Sequence, residues 1–528
     1  MRVGHRRRVL RGDGRLVPRL GGVALVRFRR AREQGVERKR SADSARRVVA
    51  RRRWIRRLPR GLRVRSDADA AALAAAVDEG IVRRLEEEDG ERGGEGVEAV
   101  SSIDRRRFVK GTVATGALIA AAPRVWGSAR ADDRIKIGLV GCGGRGRGAA
   151  VQALSADPGA QLWAMADVFP DPLDATFAAI TQAAEIADQV EVPPERRFVG
   201  FDAYRRVVES GVDLVLLASP PQFRPAHLEA AVDAGKHVFC EKPVCVDVPG
   251  YHRVMRAIRN AAARNLNLMS GFCWRYSTPE RDFVRELRNG RIGDITAIDA
   301  KYLTSPLGTR ARQPSWSDME FQLRNWQHFT WLSGDHIVEQ AVHSIDKILW
   351  FMDGRLPVRC TAVGGRGVRE QIPERGDSYD HFAVVYEYDD GARCTLLCRQ
   401  QSNTHMENTD AVIGTKGHGF VNGWGPTHWL KGEAPWTWSS NTAPPNMYQV
   451  EHDELMQAIR GIRPRIADDF MADSCLMAIM GREAAYLGAA IEWGRLLDSQ
   501  LDLSPRSFEM GPMPFPAVRH PGRRTVQA

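Results

Sequence analysis

Several features are missing from this sequence, and each absence closes off a class of protein. The uncharged apolar stretch Gly111-Thr-Val-Ala-Thr-Gly-Ala-Leu-Ile-Ala-Ala-Ala122 is too short and too mildly hydrophobic for a stable membrane span, which needs about 20 apolar residues. The eight cysteines, at 142, 240, 245, 273, 360, 394, 398 and 475, do not fall into metal-ligand pairs. Cys394 and Cys398 sit in a strand-like run rather than a knuckle, so buried free thiols are the expectation. In an oxidising compartment one disulfide is possible, but spacing does not choose it. No internal repeat is evident, which excludes a solenoid or propeller. Away from its N-terminus the chain also lacks net charge. Of the formal +11, residues 1–100 carry 27 Lys and Arg against 15 Asp and Glu, leaving the rest close to neutral. That basic run lacks the aromatics on which bases stack, so nucleic-acid binding is not the expected role.

What is present begins with Ile135-Lys-Ile-Gly-Leu-Val-Gly-Cys-Gly-Gly-Arg-Gly-Arg-Gly148. An apolar run ends at Gly141, and Gly143 and Gly146 complete a Gly-x-Gly-x-x-Gly before the helix-compatible residues 149–154. The pattern predicts a buried strand turning tightly into a helix, with glycines that clear space for a pyrophosphate on the helix N-terminus. A second strand, 160–166, ends at Asp167. This acid lies where a carboxylate meets the adenosine ribose hydroxyls, which favours NAD while leaving NADP open. Helices are expected at 174–190, 201–208 and 225–234. A third strand, 213–218, is followed by Ser219-Pro220, and a fourth, 236–240, delivers Glu241-Lys242-Pro243. Strands alternating with helices predict an α/β, doubly wound parallel sheet. Such sheets bind ligands at the C-terminal strand edge. Gly141, Asp167, Ser219 and Glu241-Lys242 all fall there.

The basic N-terminus has its own reading. Asp104-Arg-Arg-Arg-Phe-Val-Lys110, the apolar stretch after it and Ser128-Ala-Arg-Ala131 resemble a twin-arginine export signal with Arg105 and Arg106 as the pair. Residues 101–131 are therefore expected to be a signal peptide handled by the twin-arginine machinery. The protein would be periplasmic, or cytoplasmic if the signal is unused. Residues 1–100 read as a disordered extension or as upstream sequence translated from too early a start, Val100 then being the natural beginning.

The motifs together carry a family resemblance. Gly141-Cys-Gly-Gly-Arg-Gly146, Ala218-Ser-Pro-Pro221, Ala234-Gly-Lys-His-Val238, Glu241-Lys-Pro243, Phe272-Cys-Trp-Arg-Tyr276, Gly290-Arg-Ile-Gly293, residues 331–346 and Gly414-Thr-Lys-Gly417 resemble the Gfo/Idh/MocA oxidoreductases over about 134–505. The resemblance implies a Rossmann domain at 132–250 and an α+β domain with a large, open, mostly antiparallel sheet at 251–505. Residues 506–528 are expected to be an extended arm. Strands are expected at 295–302, 358–363, 381–388, 393–398 and 411–414, with a hairpin at Asp389-Asp-Gly391. Helices are expected at 278–289, 334–352, 448–460 and 471–490. The open sheet face implies a homodimer or homotetramer.

By the same resemblance Lys242 sits beside the nicotinamide and polarises or deprotonates the reacting hydroxyl, while Glu241 orients cofactor or lysine. His343 is the expected general base, and Glu339 stands one helical turn before it. The family's common pattern has Asp where this chain has Glu339, whose longer side chain reaches either the imidazole or the substrate. Gly141, Gly143, Gly144, Arg145, Gly146, Asp167, Ser219, Pro220, Glu241, Lys242 and Arg275 are expected to contact the cofactor, with Tyr276 beside Arg275. No metal is expected. His336, Glu339, His343 and Asp346 are spaced too loosely for a ligand set, and Asp346 is taken as structural. The implied activity is NAD(P)-dependent hydride transfer on a sugar, polyol or glycoside, with a tightly held cofactor. Redox-neutral glycoside cleavage at the same site and a non-catalytic sugar-binding subunit are the alternatives. Tryptophans 316, 326, 331, 424, 429, 436 and 438 suit sugar faces as well as cores.

Overall fold

The computed structural model describes residues 133–369 and 372–522. The basic extension, the twin-arginine segment and the last six residues lie outside the described residues. The first layer is a six-stranded parallel sheet of β1 (Ile135–Val140), β2 (Ala160–Asp167), β3 (Arg197–Val199), β4 (Leu214–Leu217), β5 (His237–Cys240) and β6 (Leu268–Ser270), in the order β3-β2-β1-β4-β5-β6. These strands are near-continuous apolar runs because both faces are covered. On β1, Ile135, Ile137 and Leu139 face a core shared with the helix Gly144–Ala156, and Val140 faces the opposite core. The sheet continues past residue 250, since β6 pairs with β5 in parallel. The helix Met447–Ile459 returns from late in the chain to place Leu455 and Met456 in this domain's core.

The second layer is a nine-stranded sheet of β7 (Ile295–Thr304), β8 (Arg359–Gly365), β9 (His381–Glu387), β10 (Arg393–Gln400), β11 (Glu407–Gly414), β12 (Gly417–Asn422), β13 (His428–Gly432), β14 (Trp436–Thr437) and β15 (Ile491–Glu492). Its order is β14-β13-β12-β11-β7-β10-β9-β8-β15. The β7–β10 pair is parallel and the other pairs are antiparallel. Alternation decides the faces. Cys394, Leu396 and Cys398 are buried in the core beneath the helices Val342–Phe351 and Phe470–Leu487. Leu397, Ile413 and Val363 lie exposed on the other side. The expected hairpin is present between β9 and β10, with Gly391 at φ +88°. All eight cysteines are free and buried.

Two expected helices are shorter or broken. The one placed at 174–190 spans Pro170–Thr181 and is followed by a separate turn at Ala187–Gln189. There the Gln189 amide donates to the carbonyls of Leu154, Asp157 and Ala160, a tertiary requirement that overrides local helix propensity. The helix placed at 334–352 is two pieces, His336–Glu339 and Val342–Phe351, and a separate turn of helix, Thr330–Ser333, precedes them. Gly334 and Asp335 both have positive φ. The Asp335 carboxylate accepts from His336 N (2.5 Å), Tyr379 N (2.7 Å) and Tyr486 Oη (2.5 Å), which outweighs the strain of its backbone.

Candidate functional site

The C-terminal strand edge of the parallel sheet opens into a cleft of about 680 Å³ that runs from Asp167 to His343. At its start Gly141 adopts φ +95°, and a Cβ there would meet the backbone of Ala218 and Ser219 at 2.5 Å. A Cβ on Gly146 would come within 1.9 Å of the Gly141 carbonyl oxygen. Gly143 and Gly144 behave differently: a Cβ on either meets nothing within 4 Å. Two glycines thus keep the turn tight, and two leave the mouth of the helix Gly144–Ala156 clear. Gly143 caps that helix with no side chain, so its first N–H groups face the cleft. This geometry fits a dinucleotide pyrophosphate.

Asp167 ends β2 with both oxygens engaged, Oδ2 by Cys142 N (2.7 Å) and Oδ1 by Phe169 N (3.0 Å). Burial nevertheless raises its pKa above the ordinary value. Ser219 and Pro220 line the cleft. Ser219 Oγ pairs with His227 Nδ1 at 3.0 Å, and the His227 ring stacks on Tyr204. Burial, then the nearby Arg224, pushes His227 down to about 3, so this imidazole is neutral. Arg145 borders the cleft but turns its guanidinium inward. It pairs with Glu241 and with the fully buried Glu451 (3.0 Å), and donates to Gln152 (3.1 Å). Glu241 is also held by Lys242 N (3.1 Å), and Gly271 leaves it room, since a Cβ there would come within 2.6 Å of its carboxylate.

At the far end Lys242, Trp274, Tyr302, Glu339, Gln340 and His343 converge. Lys242 Nζ donates to the Glu339 carbonyl at 2.7 Å, and the Glu339 carboxylate lies 3.7 Å from the same nitrogen. The longer acid therefore reaches the lysine. His343 packs edge-on to Trp274 at 4.5 Å. Burial, then Lys242, Lys347 and Arg145, holds its pKa well below the usual imidazole value. A neutral imidazole that lines the cleft is in the proton-accepting form.

Arg275 is a correction. Its guanidinium forms a bidentate pair with Asp346 (2.8 and 2.9 Å) and lies 3.4 Å over Phe470, outside the cleft lining. Tyr276 likewise is buried, with its hydroxyl on Asp468 (3.2 Å). The 3₁₀ turn Cys273–Tyr276 separates neighbouring side chains by a third of a turn, so Trp274 faces the cleft and Arg275 faces the core. The aromatic in that motif was the legible signal. Asp346 is structural, accepting also from Ser474 Oγ (2.8 Å). His336 is turned away, toward Asp335 and the Tyr379 carbonyl. Of the seven late tryptophans, Trp326 lines the cleft. The segment that carries it, with Gly308, Arg310, Leu323, Arg324 and Gln327, has no motif by which the sequence announces it.

Residues 135–270 match the oxidoreductase family with an NAD-binding Rossmann fold, and residues 283–418 match the GFO/IDH/MocA C-terminal domain. The chain is similar to the inositol 2-dehydrogenase of Rhizobium meliloti, at 24% identity over 283 residues, 54% of this chain and 74% of that protein. Across eight such relatives the match spans between 50% and 75% of the relative's length. The fold is shared with the aldose-aldose oxidoreductase of Caulobacter crescentus complexed with glycerol (20% identity, TM-score 0.52, 68% of this chain and 99% of that one). It is shared too with a levoglucosan dehydrogenase in complex with NADH and levoglucosan (16% identity, TM-score 0.54, 68% and 99%). The two family matches cover the whole first sheet and β7 to β11 of the second, which together carry much of this cleft, and the chain belongs to the Gfo/Idh/MocA family of oxidoreductases.

Proposed function

We propose that this chain is an NAD(P)-dependent oxidoreductase acting on a hydroxyl or carbonyl carbon of a sugar, polyol or glycoside. The observation that carries this reading is the placement of Lys242 and His343 in one cleft continuous with the glycine turn and Asp167. Gly143, Gly144 and the N-terminus of the helix Gly144–Ala156 would hold the pyrophosphate, and Asp167 the adenosine ribose, which favours NAD over NADP by repelling a 2′-phosphate. A bound nicotinamide supplies the hydride acceptor or donor. Lys242, steadied by Glu339, points its ammonium at the reacting oxygen and favours negative charge there. His343, held neutral, takes the hydroxyl proton in the oxidative direction and returns it in the reductive one. Trp274, Tyr302 and Trp326 offer aromatic faces to sugar C–H surfaces.

The inositol, aldose and levoglucosan chemistry of the relatives supports this substrate class, as does the aromatic lining. The proposal extends to a tightly held cofactor and to export by Arg105 and Arg106, with the cofactor loaded before export. It also extends to self-association through the exposed sheet face around Leu397, Ile413 and Val363. Purified protein is expected to carry nicotinamide absorbance that a panel of sugars and polyols changes near 340 nm (the NADH band). Lys242→Ala and His343→Ala should each lower kcat by about 10²–10⁴-fold while cofactor remains bound. Full activity in both variants would overturn the assignment. Absorbance cycling without net oxidation would move it to redox-neutral glycoside cleavage. Intact bound cofactor with no response across the panel would indicate a binding subunit.

A further inference from the structure

The family matches end at residue 418, and among the described residues the stretch 499–522, after the short helix Trp493–Leu497, is an arm without helix or strand. The arm crosses the molecule in one direction with contacts all along it. Leu503 N donates to Asp247 Oδ2 (3.0 Å), and Gln222 Nε2 donates to Ser504 Oγ (2.6 Å). Phe508 then packs on Phe223 (5.2 Å) and Phe201 (6.0 Å), both of which line the adenosine end of the cleft. Next, Gly511 O accepts from Met319 N (3.1 Å), and Pro514 O accepts from Gln322 Nε2 (3.1 Å). Phe515 packs against the touching pair Phe321 and Phe329, 6.1 Å from each. Finally Arg519 O accepts from the Tyr379 hydroxyl (2.9 Å) in the second domain.

The arm therefore clamps the segment 308–329 from outside, while Leu323, Arg324, Trp326 and Gln327 of that segment close the cleft from inside. Arg324 ties it down on the first domain through a bidentate pair to Asp171 (2.9 Å to each oxygen) and lies 4.0 Å over Phe169, beside Asp167. Phe169, Phe321, Phe329 and Trp331, with Phe201, Phe223 and Phe515 against them, form one apolar cluster. A dinucleotide lying from Asp167 to Lys242 would be bounded by this segment, whose residues line the same cleft. Moving it outward would strip either its own contacts with the arm or the arm's contacts with Asp247, Gln222, Phe201 and Phe223. Five prolines, at 505, 512, 514, 516 and 521, stiffen the arm and lower the entropy lost in laying it down.

We infer that the C-terminal arm belongs to the cofactor site, with Phe508 and Phe515 as positioning residues that hold 308–329 shut over the adenosine half so that the dinucleotide stays bound between turnovers. This rests on the dinucleotide reading proposed above. The test measures release of bound NADH from the full chain, by loss of its fluorescence on adding excess NAD, in the parent, Phe508→Ala and Phe515→Ala. The expected result is release at least tenfold faster in each variant, with a raised KM for NAD and kcat at saturating NAD within about twofold of the parent. A purely structural role would lower the melting temperature and leave release unchanged. Phe508 is 39% exposed, so its truncation opens little cavity and keeps the test valid if Phe515→Ala fails to fold. Release within twofold of the parent in folded Phe508→Ala, with the arm shown by limited proteolysis to be loosened, would overturn the inference. Fast release from the parent itself would sink tight retention, and the variant-to-parent ratio would still decide the arm's part. Failure of NADH to bind the parent would overturn the dinucleotide reading and the inference with it.

Discussion

At the scale of single residues, adjacent positions in one motif have opposite fates. Trp274 faces the cleft with its indole N–H on the Gly423 carbonyl (3.0 Å), while Arg275 is spent on the buried Asp346. Chemistry by residue type favours the arginine for an anionic cofactor, and the 3₁₀ turn that reverses the choice cannot be read from four letters. Replacing Arg275 by Met is expected to cost about 3 kcal/mol or more, because it leaves Asp346 buried without its cation. The same variant should keep its NAD dissociation constant within about twofold. Thermal melts and an NAD titration separate the two; a tenfold weaker affinity with an unchanged melt would return Arg275 to the cofactor. Glu339 shows the same limit. Its spacing from His343 was legible, but which group its carboxylate would meet depended on the break after His336–Glu339 and on the position of Lys242.

At the scale of the element, the strand, glycine turn and helix at 135–156 follow directly from local pattern. The apolar run demands a buried strand, Gly141 must take positive φ, and the four glycines of the turn divide into two that allow close packing and two that leave space. Gly146→Ala drives a Cβ into the Gly141 carbonyl and should destabilise the fold by about 2 kcal/mol or more, the scale of a strained, overpacked site. Gly143→Ala projects into open space at φ −71°. It should melt with the parent and bind NAD at least about tenfold more weakly, since a methyl group would stand where the pyrophosphate approaches the backbone. Calorimetry with NAD titration reads both, and equal affinity in folded Gly143→Ala would remove the pyrophosphate from that position. The helix boundaries around 181 and 334–342 were less legible. Gln189 and Asp335 satisfy backbone groups distant in sequence, and those partners exist only once the chain is folded.

At the scale of the whole molecule, burial of neutral histidines gives a pH dependence with a definite sign. His227 and His452 are held down to about 3 and His328 to about 4, in each case first by burial. Near pH 7 both folded and unfolded chains carry these rings neutral. Below about 6.5 the unfolded chain takes up protons that the fold refuses, so stability falls as pH drops toward the folded values. For His227 and His452 the loss at pH 5 is on the order of 2 kcal/mol each. Asp377 and Asp468, raised by burial to about 6, act in the opposite sense. Their contribution is present below the ordinary carboxylate value and is lost as pH rises through about 6. Asp167, Asp247, Asp410, Glu451 and Asp473 are raised by burial as well, so the histidine part is read by difference: between pH 7 and pH 5 the melting temperature of the parent is expected to fall by more, or rise by less, than that of His452→Phe. A melting temperature that rises over this interval would show the buried carboxylates to be dominant.

Local pattern by itself determined the parallel sheet, the glycine turn, Asp167, the Glu241-Lys242-Pro243 edge and the hairpin at 389–391. In each of these the chemistry lies in a run of neighbours whose spacing matches a backbone period. Tertiary structure alone decided which side of the Cys273–Tyr276 turn faces the cleft, that Arg145 and Arg275 are held by buried carboxylates, and that Glu339 meets Lys242. It also decided that residues of 308–329 line the cleft and that the arm 499–522 packs on them from outside. These segments carry no regular period or motif, and they come together only because two sheets, a returning helix and the arm bring residues more than a hundred positions apart within hydrogen-bonding reach.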